Sequence, residues 1–372
     1  MSDGASRTRL QRWMQGVIPS RIAGRWRTQR FGSGSALLWP LLTLCALCLL
    51  NLAFNRHFLA IKVLDHHLFG APIDILNRAA PLILVSIGMT LVIATRGIDI
   101  SVGAVVAIVA GMAAAMLGGS QSMAGGWPAW VAVATGLGAG LLCGLWNGLL
   151  VAGVGMQPII ATLILMVAGR GVAQLLTAGQ VIPIGDPDYL FIGGGYLLGI
   201  PVSVYVAVAV VAATTALLEG TALGLFIRAT GINPAATRLV GLRAKALIFW
   251  VYAFSGLTSG IAGILISSNL RSADGNNAGL LLELDAILAV TLGGTSLLGG
   301  RFSLAGTVFG ALIIQTLTYT TYSIGVPPEA TLVVKAVVVL LVSVIQSPTA
   351  RAWLWTRLRR LPGQGAALKV PS

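Results

Sequence analysis

Charge is what this sequence has least of. Its 372 residues include 24 Lys and Arg and 11 Asp and Glu, 9% in all. A soluble domain carries about a quarter. With 56% hydrophobic residues, that scarcity excludes an ordinary soluble enzyme, a disordered chain and a nucleic-acid-binding domain. Cysteine is nearly absent too, at three residues. Cys45 and Cys48 form a C-x-x-C, but inside an apolar run and without further ligands. They read as small apolar side chains, so neither a disulfide nor a metal site is expected. His57, His66 and His67 all fall outside the apolar runs, which disfavours an intramembrane Ser–His hydrolase. Asp65, His66, His67 and His57 match no rigid metal-site spacing and read as a solvated loop. There is no G-x-x-x-x-G-K-[ST] and no H-E-x-x-H, so neither a P-loop nor that zinc site is present. No cofactor is expected.

What the chain has is apolar runs of near-membrane length. They lie at about 36–54, 79–95, 98–118, 128–153, 158–178, 200–219, 247–267, 281–299, 303–323 and 331–347. Runs near 20 residues without period-2 alternation are helices rather than barrel strands. The expectation is an all-α integral membrane protein of about ten transmembrane helices. A permease domain at 36–347 would lie between basic tails at 1–35 and 348–372. The tails hold half of the basic residues, among them Arg7, Arg9, Arg12, Arg357, Arg359 and Arg360. Lys and Arg gather on the cytoplasmic side, so both termini are expected there, in contact with anionic lipid. The first basic stretch is too long for a cleavable signal. The loops agree: 220–246 carries Arg228, Arg238, Arg243 and Lys245, whereas 179–199 carries only Asp186 and Asp188.

Forty-seven glycines imply close helix crossings. Gly136, Gly138, Gly140, Gly144 and Gly148 share one run, and Gly256, Gly260 and Gly263 another. An internal echo joins Thr90-Leu91 before Gly97-Ile98-Asp99-Ile100-Ser101 to Thr291-Leu292 before Gly299-Gly300 and Ser303. Paired broken helices of this kind suggest a 5+5 repeat.

Polar residues inside apolar runs are the candidates for a solute path. Thr162, Arg170, Gln174 and Thr177 fall on one helical stripe. The stripe either lines a path or packs against a neighbour with Arg170 reaching outward. Asn147 and Gln315 add neutral amides, which suit a neutral polar solute such as a sugar. Glu283 and Asp285, two apart, point to opposite sides of a helix start, and Lys335 is placed to neutralise one of them. In the 220–246 connection, Asn233 reads as a helix N-cap and Pro234 as the first helical residue. A short helix to about Val240 follows, bracketed by Gly231 and Gly241. It is either an ordinary interfacial helix or a docking element.

At these residues the chain resembles the ribose-type sugar permeases of bacterial ABC importers. Arg228-Ala-Thr-Gly231-Ile-Asn233-Pro234-Ala235-Ala236 is similar to their cytoplasmic coupling loop. Thr95-Arg96-Gly97-Ile98-Asp99-Ile100-Ser101-Val102-Gly103 resembles their T-G-G-I-D-L-S-V-G signature, with Arg96 in place of a glycine. Glu283-Leu-Asp285-Ala-Ile followed by Gly293-Gly294-Thr295-Ser296-Leu-Leu-Gly-Gly300 is a third match. Within the family, Ala71–Pro81, Ala168–Gln174 and Ala273–Gly279 resemble the galactofuranose permeases most.

The resemblance implies a permease subunit of the bacterial inner membrane, paired with a second permease chain. A separate ATPase would dock below and a periplasmic sugar-binding protein above. Arg228, Gly231, Asn233, Pro234, Ala235, Ala236, Arg238 and Gly241 are then expected to couple to the ATPase. Asp99, Asn147, Arg170, Gln174, Asp285 and Gln315 are expected along the path. Asn77, Arg78, Arg271, Asp274, Asn276 and Asn277 are expected to meet the binding protein. A bulky residue at Gly231 is expected to uncouple hydrolysis from uptake without harming the fold. A self-sufficient ion-coupled transporter or channel is the alternative, and it would need its own coupling site in the membrane.

Overall fold

The computed structural model describes residues 34–64, 67–118 and 126–346. The expected basic tails lie almost wholly outside these residues, as do Asp65 and His66. Helix α1 is Gly34–Phe54, α2 Ala71–Ala94, α3 Val102–Leu117, α4 Ala129–Gly148 and α5 Pro158–Leu176. A π-helical turn, Leu149–Val154, extends α4. Then come α6 Pro187–Gly194, α7 Val202–Gly220, α8 Leu223–Ile232, α9 Pro234–Leu239 and α10 Ala244–Leu270. The last are α11 Leu282–Leu292, α12 Leu304–Ser323 and α13 Pro328–Gln346.

Among the described residues, seven helices are long and apolar enough to cross a membrane: α1, α2, α4 with its π-turn, α5, α7, α10 and α12. Two expected runs differ. The run at 98–118 yields only the 16-residue α3, and the run at 281–299 only the 11-residue α11. In both, a non-helical turn takes the remaining residues. The run at 331–347 forms α13, a helix of 19 residues.

Helix α2 is the most enclosed of the seven, and α10 and α12 follow it. Their Leu84, Ile87, Met89, Tyr252, Leu265, Ile313 and Ile314 are the heart of the core. In lipid, where apolar attraction between helices is absent, close backbone approach drives packing. The glycine-rich runs supply it. At the crossing of α4 and α10, a methyl on Gly140 would meet the Gly256 carbonyl at 2.8 Å, and one on Gly148 the Phe249 carbonyl at 2.7 Å. Gly138 is the exception and faces open space.

The expected loops contain short strands that helix periodicity does not reveal. β1 (Lys62–Leu64) pairs with β2 (His67–Phe69), and β4 (Tyr196–Leu197) with β5 (Ile200–Pro201), both antiparallel. β3 (Val181–Pro183) pairs antiparallel with β6 (Ser272–Asp274) in the register Val181↔Asp274. That pair joins two connections far apart in sequence. The short α6 lies between β3 and β4 in the 179–199 connection and is held to α10: Tyr189 Oη and Ser267 Oγ lie 2.7 Å apart, and Ser268 Oγ donates to the Tyr189 carbonyl at 2.7 Å.

Candidate functional site

The chain between α2 and α3, Thr95–Ser101, is irregular backbone among transmembrane helices. Such backbone persists only where protein satisfies its polar groups. Asp99, 1% exposed, does this. Its Oδ1 accepts from the Ser101 amide at 3.1 Å and Ser101 Oγ at 2.6 Å, and its Oδ2 accepts from Ser255 Oγ at 2.9 Å. Asn147 Nδ2 donates to Ser101 Oγ at 2.8 Å. One carboxylate therefore ties the turn to α4 and α10. Of the expected path residues, Asp99 and Asn147 come together here, buried in this chain. Neither Ser101 nor Ser255 was singled out as a site residue; Ser255 is hidden in a helix that also holds Thr258 and Ser259.

Arg170, half-buried on α5, reaches a different place. Its Nη1 donates to the Ala278 carbonyl at 2.7 Å and to that of Asn276 at 3.4 Å. The stripe it belongs to divides: Thr162 and Thr177 are buried, while Gln174 is exposed. The 274–278 loop is shaped by Asp274, whose Oδ1 accepts from the Asn276 and Asn277 amides at 2.9 and 3.1 Å. Its Oδ2 accepts from Asn277 Nδ2 at 2.8 Å. Burial pushes the Asp274 carboxyl up, but those hydrogen bonds and nearby Arg170 outweigh it and hold the group below its ordinary range.

Asn77 Oδ1 accepts from Ser203 Oγ and from Asn269 Nδ2. Arg78 pairs with Asp74 at 3.0 Å along α2, and Arg271 is exposed in a left-handed turn at φ 55. Asp285, expected on the path, pairs with Lys335 of α13 at 2.8 Å. Glu283 is buried on the other side of α11, against Gly103. Gln315 is half-buried on α12.

The 220–246 connection folds as its sequence indicates. Asn233 Oδ1 accepts from the Ala235 and Ala236 amides at 3.0 and 3.1 Å and so starts α9. Ala235, Ala236, Arg238, Leu239 and Val240 are exposed. Arg228 Cζ lies 5.0 Å from the Phe302 ring centroid, within reach of a cation–π contact.

Behind α9 the structure is crowded. Gly300 N donates to the Ala94 carbonyl at 2.9 Å, and Gly231 packs directly on both residues. A side chain on Gly231 would overlap the Ala94 oxygen and the Gly300 backbone. This corrects the expectation that a bulky residue at Gly231 spares the fold: the glycine is a three-way backbone junction rather than a free hinge.

Arg96 stands at this junction. The Arg96 amide donates to the Ile93 carbonyl at 2.9 Å and the Gly97 amide to Val92 at 2.9 Å. That is a Schellman end to α2, and its left-handed position favours glycine. Arg96 takes it at φ 68, at a strain of about 1–2 kcal/mol. Its guanidinium donates to the Gly231 and Ile232 carbonyls, both at 2.6 Å. Two charge-assisted bonds to the end of α8 offset that strain even after allowance for solvent.

Among the described residues no cluster of His, Cys, Asp and Glu gathers for a metal. The arrangement is a helix bundle with a presented helix, α9, and a buried polar knot.

The comparisons agree in kind. Residues 71–343 match the family of branched-chain amino acid transport system permease components. The chain is 50% identical over 314 residues to the galactofuranose transporter permease protein YtfT of Escherichia coli, covering 83% of this chain and 90% of that one. It is 41% identical over 320 residues to the fructose import permease protein FruF of Bifidobacterium longum, covering 84% and 88%. It is 38% identical over 278 residues to the ribose import permease protein RbsC of Escherichia coli, covering 74% and 84%. No solved structure matches the chain at a significant level. A match over most of the bundle, with α9 and the polar knot inside the matched span, places the chain in the branched-chain amino acid transport system permease family, as a multi-pass membrane subunit of a bacterial ABC importer.

Proposed function

We propose that this permease moves a monosaccharide across the inner membrane, with a furanose of the galactofuranose type as first choice. Exposed α9 is the observation that carries the coupling role. Ala235, Ala236 and Arg238 face outward on a helix that follows directly on the end of α8, where Gly231 packs on Ala94 of α2 and on Gly300. Ile232, Leu239, Val240 and Leu298 add exposed apolar surface beside it. Exposed apolar surface of this kind suits a protein partner, here a separate ATPase subunit. Relatives named for galactofuranose, fructose and ribose support a sugar as the cargo.

In this reading α1–α5, α7 and α10–α13 make ten passes with both termini cytoplasmic. The non-helical turns 95–101 and 293–303 complete the crossings of short α3 and α11. α2 and α11 end in the same hydrogen-bond pattern, with Arg96 and Gly294 in the left-handed position, which favours a 5+5 repeat. The β3–β6 pair and the 274–278 loop then face the periplasm, where Asn77, Arg78, Arg271, Asp274, Asn276 and Asn277 receive the binding protein. The full path forms with a second permease chain and carries Asp99, Asn147, Arg170, Gln174, Asp285 and Gln315 at or behind its wall. The basic tails rest on anionic lipid.

The test is reconstitution of the permease with its ATPase and the loaded binding protein in vesicles. ATP-dependent accumulation of labelled furanose is expected only with all three components. Accumulation by the permease alone on an ion gradient, or labelling of 224–241 from the exterior, would sink the proposal.

A further inference from the structure

Arg96 has no task in the transport reading above, yet its geometry is specific. It occupies a left-handed position at φ 68 that glycine fills more easily. What the side chain gains there is a hold on α8: Nε donates to the Gly231 carbonyl and Nη2 to the Ile232 carbonyl, each at 2.6 Å. These are the last carbonyls before Asn233 caps α9. Its stem packs against Gly299, where a methyl would meet Arg96 Cγ at 2.6 Å. The same short turn ends in Asp99, bonded to Ser255 of α10. A planar fork that takes two successive carbonyls fixes direction as well as distance. The exposed helix and the buried knot are therefore joined through one seven-residue turn, with Arg96 at one end and Asp99 towards the other.

We infer that Arg96 is a positioning residue that clamps the docking helix to the α2–α3 turn, so that movement of α9 is passed to the core through this side chain. The inference rests on the docking role proposed for α9. A ligand-driven shift reaches a second site only through contacts that differ between two states, and the inference requires that this clamp be one of them.

Arg96→Gly is the decisive variant, because glycine fits the backbone and relieves its strain. In vesicles holding the whole transporter, sugar moved per ATP hydrolysed is expected to fall by about fivefold or more. Arg96→Lys keeps the charge but loses the fork, and is expected to recover only part of the coupling. In the full-length permease alone, the amides of 233–240 are expected to exchange hydrogen faster in Arg96→Gly, with those in the centre of α10 unchanged. A glycine variant with the normal ratio of uptake to hydrolysis, or with unaltered exchange in 233–240, overturns the clamp. Should the unmodified transporter show no ATP-driven uptake, the docking role fails instead, and the exchange measurement still judges the clamp.

Discussion

Gly231 of α8 rests directly on the Ala94 carbonyl at the end of α2, with no room for a side chain between them. The contact is backbone on backbone, so no flexible group can yield. Gly231→Ala is expected to destabilise the permease by about 1–3 kcal/mol, in the range of overpacked cores, and a leucine there to abolish the folded population. Thermal unfolding of the purified full chain in detergent reads the effect. An alanine variant that melts with the parent would mean the junction opens easily.

Asp99 and Ser255 should be strongly coupled. Removing Ser255 Oγ takes one donor from a buried carboxylate, while Asp99→Asn replaces an acceptor oxygen with an amide donor that faces donors. Each single change is expected to cost about 1–3 kcal/mol. The double variant should cost less than the sum of the two, because the shared bond is lost once. Additive losses in a double-mutant cycle on melting would show that the hydroxyl and the carboxylate do not depend on each other.

Much of this was legible from residue order. Hydrophobic runs located the long helices because membrane burial leaves a signal in composition itself. Asn233-Pro234 marked the start of α9 because capping and φ restriction are local. The partners of Asp99 were not legible, since Ser101, Asn147 and Ser255 are brought together by packing across three segments. Nor was the Arg96 contact: its carbonyl partners lie 135 and 136 residues away. Gly231 misled because a glycine beside a helix end reads equally as hinge or close contact, and only the neighbours decide. The β3–β6 pair was missed because three-residue strands have no period to detect.

Acid should loosen the 274–278 loop late. Hydrogen bonds from Asn277 and Asn276, helped by Arg170, hold the Asp274 carboxyl below its ordinary range against the opposing effect of burial. A depressed carboxyl stabilises the fold above its unfolded pKa, near 3.9, and loses that contribution as pH falls through the lower folded value. The Asn276 and Asn277 amides are therefore expected to keep their protection from exchange, corrected for intrinsic rate, from neutral pH down to about 4. In Asp274→Asn that protection is expected to be weaker already at neutral pH. Loss of protection in the parent between pH 6 and 5 would show that another group governs the loop.

Lys335 and Asp285 join α13 to α11 at 2.8 Å, with side chains only 10% and 23% exposed. An ion pair this enclosed gives little net stability when intact, yet removing one member strands the other in poor solvent. Lys335→Met is expected to lower stability by up to about 3 kcal/mol, and Asp285→Asn by somewhat more, because the Lys335 it strands is the more enclosed of the two. The double variant should be more stable than Lys335→Met alone, since no lone charge remains. If Asp285 instead served as an obligatory ionised group on the solute path, the double variant would melt normally but fail in vesicle uptake. Measuring melting and uptake on the same three proteins therefore separates a tie between helices from a role in transport.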